Sequence, residues 1–357
     1  MFRLLTKKLD SFLEMGVPFY DCIVMKDGKC VYRHANGFTD SEKQVKVTGR
    51  EKYNIYSCSK LISCVAALQL WEKGLYSLDD KLSDYMPEFE YMTVQKGGMI
   101  VAAQNSILIR HLFTMTAGFS YNLKSPHLLL CQEKTNGECP TRETVRYLAQ
   151  EPLLFEPGTS WKYSLCHDVL AVLVEVLTGV SFARYVKEHI FDPLGMKNST
   201  FLLEENRLDE VTPQFTYDPE KGVYERDKHI HHKIGLRYES GGAGCISTVD
   251  DYVKFMEAIR VGDKILKKET VTMLATDQLT REQAQSYWYD EYGYGLGQRC
   301  PKDQRKSDFG WGGAAGCYYA IDQQNRMTFF MVTHILGYQE FLDICPDLTP
   351  IIQAALR

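Results

Sequence analysis

Tyr56-Ser57-Cys58-Ser59-Lys60 opens the apolar run Leu61-Ile62-Ser63-Cys64-Val65-Ala66-Ala67-Leu68-Gln69-Leu70-Trp71, and the reading of that stretch decides the fold. Leu61, Ile62, Val65, Ala66, Leu68 and Leu70 leave hardly any polar face, so the spacing predicts a helix through a core. Gly74 ends it. Ser57 and Lys60, three residues apart, then share one face a turn from each other. Ser57 falls in the first turn, where backbone N–H groups lack partners and the local potential is positive. A hydroxyl there, with an amine one turn away, supplies a nucleophile and a nearby base for covalent catalysis. A capping Ser and a solvated Lys would produce the same pattern. Two observations favour chemistry: Lys60 heads a run too apolar for a surface helix, and partner motifs follow downstream.

The chain around it has 357 residues, 45% hydrophobic and 24% charged, ample for a large core in one domain or two closely joined ones. A net charge of −5 without a basic block argues against a nucleic-acid partner. No run reaches the roughly 20 apolar residues of a membrane span. Met1 to Val17, with Lys7, Lys8, Asp10 and Glu14 among apolar residues, reads as an amphipathic helix rather than a signal peptide, so the cytoplasm is the expected location. The 11 cysteines contain no Cys-x-x-Cys pair and read as free thiols in a reducing compartment, not as a metal site.

Phe19–Met25 and Cys30–His34 read as strands joined by Asp27-Gly28. Helical signals dominate from about 80 to 235: Ile107–Thr116, Arg142–Gln150, Asp168–Thr178 and Phe182–Phe191. Ser247 or Thr248 caps a helix to Ile259, with Asp250 and Asp251 in its first turn. Strand-like runs return at Tyr292–Gln298, Cys317–Ile321 and Met327–His334, and Ile351–Leu356 closes the chain as a helix. Strands at both ends and helices between imply an α/β domain of residues 1–80 and 235–357, an antiparallel sheet flanked by helices. Residues 81–234 form a mainly helical insertion, with the active site in the cleft between the two.

Further pieces could carry chemistry. Tyr163, in Trp161-Lys162-Tyr163-Ser164-Leu165, stands just ahead of the helix from Asp168, where a phenol could face a cleft; a half-buried aromatic is the plainer reading. Phe309-Gly310-Trp311-Gly312-Gly313-Ala314-Ala315-Gly316 enters a strand with a glycine density that signals close backbone approach. Neither the P-loop nor the dinucleotide-binding glycine pattern is present. Gly-x-Ser-x-Gly is absent too, which argues against the usual α/β-hydrolases. His229-Ile230-His231-His232 lies in a charged stretch and reads as solvated loop rather than metal site.

Together these segments resemble the serine β-lactamase and penicillin-binding-protein superfamily, in its class C-like branch nearest the family VIII carboxylesterases. The resemblance rests on Ser57-x-x-Lys60, Ile109-Arg110-His111-Leu112-Phe113-Thr114 to Gly118, Pro157-Gly158-Thr159, Tyr163-Ser164, Pro193-Leu194-Gly195-Met196, Gly241-Gly242-Ala243-Gly244 and Gly310 to Gly316. It implies Ser57 as nucleophile, Lys60 as or within the general base, and Tyr163 as relay to the leaving group. It also implies an oxyanion hole of the Ser57 and Ala314 N–H groups, and Trp311-Gly312-Gly313 as the substrate-binding strand, with no metal or cofactor. Lys60 starts near pKa 10.4 and acts as a base only if burial lowers it.

Two departures narrow the expectation. Position 165 is Leu where the class C second motif ends in Asn, and Trp311 stands where the third begins with Lys. Losing a cation that binds substrate carboxylates costs about 1.5–3 kcal/mol, which favours neutral substrates. The resulting expectation is a serine hydrolase of small carboxylic esters working through an acyl-enzyme. The alternatives are a β-lactamase, DD-peptidase or D-aminopeptidase on amides, an acyltransferase with the same site, and a catalytically silent binding protein.

Overall fold

The computed structural model describes residues 1–357 except 41, 203–204, 219, 228–233 and 304, and the side chains of 205 and 206. The His229, His231 and His232 cluster lies outside the described residues. Helix α1 (Arg3–Glu14) buries Leu5, Leu9 and Phe12, four and three residues apart on one face. Strands β1 (Phe19–Lys26) and β2 (Lys29–Gly37) form the expected hairpin, with Asp27 and Gly28 both at positive φ. Strand β3 (Tyr53–Asn54) leads through a tight 3₁₀ turn, Tyr56–Cys58, into α2 (Ser59–Glu72). Every residue of α2 from Ser59 to Leu68 is buried, which the sequence of that helix demands.

The middle of the chain carries the hairpin β4 (Thr93–Lys96) and β5 (Met99–Ala102), then α3 (Ile109–Phe113), α4 (Pro126–Lys134), α5 (Thr141–Leu148), α6 (Cys166–Thr178), α7 (Phe182–Val186) and α8 (Asp192–Leu194). A second hairpin, β6 (Phe215–Asp218) and β7 (Val223–Arg226), follows. This stretch is thus mainly helical but not wholly so. After β8 (Ile246–Ser247), Thr248 caps α9 (Val249–Val261) by accepting the Asp251 N–H. The chain then runs through α10 (Lys268–Leu274), β9 (Tyr292–Tyr294), β10 (Arg299–Pro301), β11 (Asp308–Gly313), β12 (Cys317–Asp322), β13 (Met327–Val332), β14 (Ile335–Leu336), α11 (Gln339–Ile344) and α12 (Leu348–Ala355).

Seven strands make one antiparallel sheet in the order β2-β1-β13-β12-β11-β10-β9. Strand β1, from the N-terminus, sits between β2 and β13, so both ends of the chain build one sheet. Helices α1 and α12 pack together, and α9 packs on β1, β12 and β13. That covering explains why β12 and β13 are buried at every position instead of alternating. Helix α2 packs on α6, and the turn ahead of it packs on β11 and β12. Two strand expectations change. The run expected at Tyr292–Gln298 ends at Tyr294, because Gly295 to Gln298 form a turn, with Gly297 at φ 98°, that folds β10 back onto β9. Phe309 to Gly313 are themselves strand, and Ala314–Gly316 turn into β12.

Candidate active site

Ser57, Tyr163, Trp311, Gly312, Gly313 and Ala314 line one cleft of about 790 Å³. Lys60 lies directly beneath it, fully buried. The 3₁₀ turn places Ser57 at the cleft, and the first turn of α2 brings Lys60 Nζ to donate to Ser57 Oγ at 3.3 Å. The same ammonium donates to the Gly242 carbonyl at 2.7 Å and to Tyr121 Oη at 3.4 Å. With the side chain of Tyr163, which is also a hydrogen-bond partner, these acceptors outnumber the three N–H bonds of a charged Lys, so one N–H can serve either phenol. The Tyr163 ring faces it too, its centroid 4.6 Å from Nζ.

The expectation that burial lowers the Lys60 pKa and frees its amine as a base does not hold. Burial does push its pKa down, but Tyr121, Tyr163 and the Asp168 carboxylate outweigh it, and the net shift is upward. Lys60 rests as a cation. Asp168, on the first turn of α6, is fully buried; its Oδ1 accepts from Ser240 Oγ at 2.6 Å and Tyr238 Oη at 2.8 Å. Its Oδ2 has no hydrogen-bond partner among the described residues. Gly242 leaves the space for this arrangement. A Cβ there would lie 2.5 Å from Asp168 Oδ2 and 3.3 Å from Lys60 Nζ.

Strand β11 supplies the opposite wall. A Cβ on Gly313 would come within 2.5 Å of the Ile55 carbonyl, so only glycine lets the strand pack on the turn that carries Ser57. Gly312 is different: a Cβ there meets nothing nearer than 3.4 Å, and the room above it belongs to the cleft. Ala314 follows the last ladder pair, Gly313 with Cys317, so its N–H stands outside the sheet. Trp311 stacks on Tyr163 at 5.6 Å, and its indole N–H donates to Tyr163 Oη at 3.3 Å.

Reading the sequence missed four contributors. Tyr121 lies parallel to Tyr163 at 5.3 Å, and Trp288 packs on Tyr163 at 5.3 Å, yet among 22 tyrosines and four tryptophans neither is marked by its neighbours. Asp168 did leave a signal: a carboxylate at the head of the apolar run Val169–Val174 must find buried partners. Arg299, whose Nη2 pairs with Asp308 at 2.7 Å, reaches the cleft only because β10 folds back beside β11.

A family model described as beta-lactamase matches residues 16–349. The chain belongs to the beta-lactamase family. Among its relatives are the esterase EstB of Burkholderia gladioli, 27% identical over 87% of this chain and 84% of that protein. The acyltransferase calJ of Penicillium decumbens is 29% identical over 78% and 74%. The solved structure of EstCE1, described as a hydrolase with promiscuous acyltransferase activity, superposes with a TM-score of 0.81 at 22% identity over 99% of this chain and 98% of that one, a likeness of fold. This beta-lactamase family member is a serine hydrolase of the esterase-like branch. Among the described residues, no single helix is long and apolar enough to cross a membrane.

Proposed function

We propose that the protein hydrolyses small carboxylic esters through a covalent acyl-enzyme on Ser57. The observation that carries this reading is the meeting of Ser57, Tyr163 and the Gly312–Ala314 backbone at one cleft, over a buried ammonium that donates to the Ser57 oxygen. Ser57 Oγ attacks the ester carbonyl, and the N–H groups of Ser57 and Ala314 receive the oxyanion, each worth about 3–4 kcal/mol. A resting ammonium has no lone pair. Lys60 therefore takes the Ser57 proton only as it passes one of its own to Tyr163 Oη, which gives its proton to the departing alkoxide. Lys60 and Tyr163 each take one proton and give one, so the alcohol leaves neutral and Ser57 stays acylated. Water then attacks the acyl group, its proton passes back through Tyr163 and Lys60 to Ser57 Oγ, and the acid leaves with the site restored. Asp168 and the two phenols hold the charge on Lys60 while this happens.

Ester substrates are supported by the similarity to an esterase and by Trp311, which offers no cation to a substrate carboxylate. The similarity to calJ supports a second reading, acyl transfer from the same intermediate to an alcohol. We read residues 81–234 as an insertion between the segments 1–80 and 235–357; the sheet order, which unites strands from both ends, supports it. Eleven unpaired thiols suit the cytoplasm.

Intact-mass analysis with p-nitrophenyl butyrate tests the assignment. Wild type gains one butyryl group and releases nitrophenol, and Ser57→Ala does neither. Near-normal turnover by the variant removes Ser57 from the mechanism, while a new ester formed on adding an alcohol selects the second reading.

A further inference from the structure

Beyond Ser57 the cleft continues along β11 towards a buried guanidinium that the chemistry above leaves unused. Arg299 is 4% exposed and lines the cleft. Its Nη2 donates to Asp308 Oδ2 at 2.7 Å and to Tyr318 Oη at 2.6 Å, and its carbon centre stands 4.6 Å from the Tyr292 ring centroid. Its Nη1, with two N–H bonds, has no hydrogen-bond partner among the described residues. Leaving a buried charged donor unserved is costly. Such a group in the wall of an open cleft marks a place where a ligand atom completes the bonding.

Register supplies the distance. Arg299 pairs with Gly310, so the residue that carries the guanidinium lies about 10 Å along the strand from Gly313, at about 3.4 Å per residue. Gly312, which lines the cleft, projects no side chain into the way. Charge decides what kind of atom fits. Arg299, Lys306 and Arg305 are each already paired, with Asp308, Glu291 and Asp303. Asp290, Asp343 and Asp347 line the cleft with no salt bridge among the described residues, so its far end repels an anion.

We propose that this end is a subsite for an uncharged hydrogen-bond acceptor, such as a second ester, ketone or amide carbonyl about 10 Å from the scissile bond. This deepens the ester-hydrolase reading and rests on it. The natural substrate is then a bifunctional ester, neutral at its distal end.

Two sets of substrates test it. The first is p-nitrophenyl octanoate, its analogue with a terminal methyl ester, and its analogue with a terminal carboxylate. The second places the same three termini on the alcohol side. In one set the methyl ester should exceed the plain chain in kcat/KM by about 10-fold or more, and the carboxylate should fall below both. Arg299→Met with Asp308→Asn, which removes both charges of the pair, should bring the methyl-ester-to-alkyl ratio to about one. Because the ratio is taken within each protein, a general loss of activity cancels, and the wild-type profile stands alone if the double variant does not fold. No preference in either set, or an undiminished ratio in the double variant, overturns the subsite and leaves Nη1 to a buried water. Failure to turn over p-nitrophenyl butyrate overturns instead the hydrolase reading beneath it.

Discussion

Tyr163 bears the sharpest prediction at the residue scale. Tyr163→Phe keeps the ring stacked between Tyr121 and Trp311 and deletes only the oxygen that accepts the Trp311 indole N–H. Loss of a proton relay lowers kcat about 10²- to 10⁴-fold, while urea unfolding should shift by about 1 kcal/mol or less, the worth of one hydrogen bond. Equal losses in activity and stability would make the phenol a packing residue. Ser57 and Lys60 were legible in the sequence because a turn of helix brings them together without help from the rest of the chain. The charge state of Lys60 was not. Its burial was foreseen, but Tyr121 and Asp168 approach from 61 and 108 residues away, and their field reverses the direction that burial alone implies.

At the scale of elements, the junction of α6 and α7 carries two carboxyls, Glu175 half-buried and Glu239 buried. Glu175 Oε1 accepts the Phe182 N–H at 2.9 Å and Glu239 Oε2 the Ala183 N–H at 2.6 Å. Burial first, and then the neighbouring Glu239, push Glu175 up to about 7, against the pull of the Phe182 N–H and Arg142. The folded state thus holds this proton more tightly than the unfolded chain does. Its contribution to stability is complete below the ordinary carboxyl range and disappears as pH rises through about 7. Glu175→Gln should therefore match wild type at pH 4 and exceed it at pH 8 by on the order of 2 kcal/mol. Urea denaturation at the two pH values reads this directly, and a pH-independent difference would contradict it. The helices themselves were well marked by periodicity and caps, as with Thr248 on α9. Hairpins such as β4–β5 and β6–β7 were not, since runs of four residues between turns are too short for a period to emerge.

For the whole molecule, the sheet order makes the N-terminal hairpin indispensable. Strand β1 pairs with β13 over Asp21–Lys26, and its first six residues are buried. Deleting residues 1–37 removes two of the seven strands and turns β13, buried at every position, into an open edge. The truncated chain should be recovered only as aggregate, whereas soluble, active protein lacking that hairpin would refute the topology. By itself the sequence determined what depends on neighbours a few residues apart: the buried helix after Ser57, the amine one turn on, the caps, and strands gathered at the two ends. Tertiary structure alone decided which residues share the cleft, why Gly313 must be glycine, and that Lys60 stays charged. Those outcomes depend on contacts between segments remote in the chain, and a side chain's neighbours across such distances are set by packing, on which local spacing is silent.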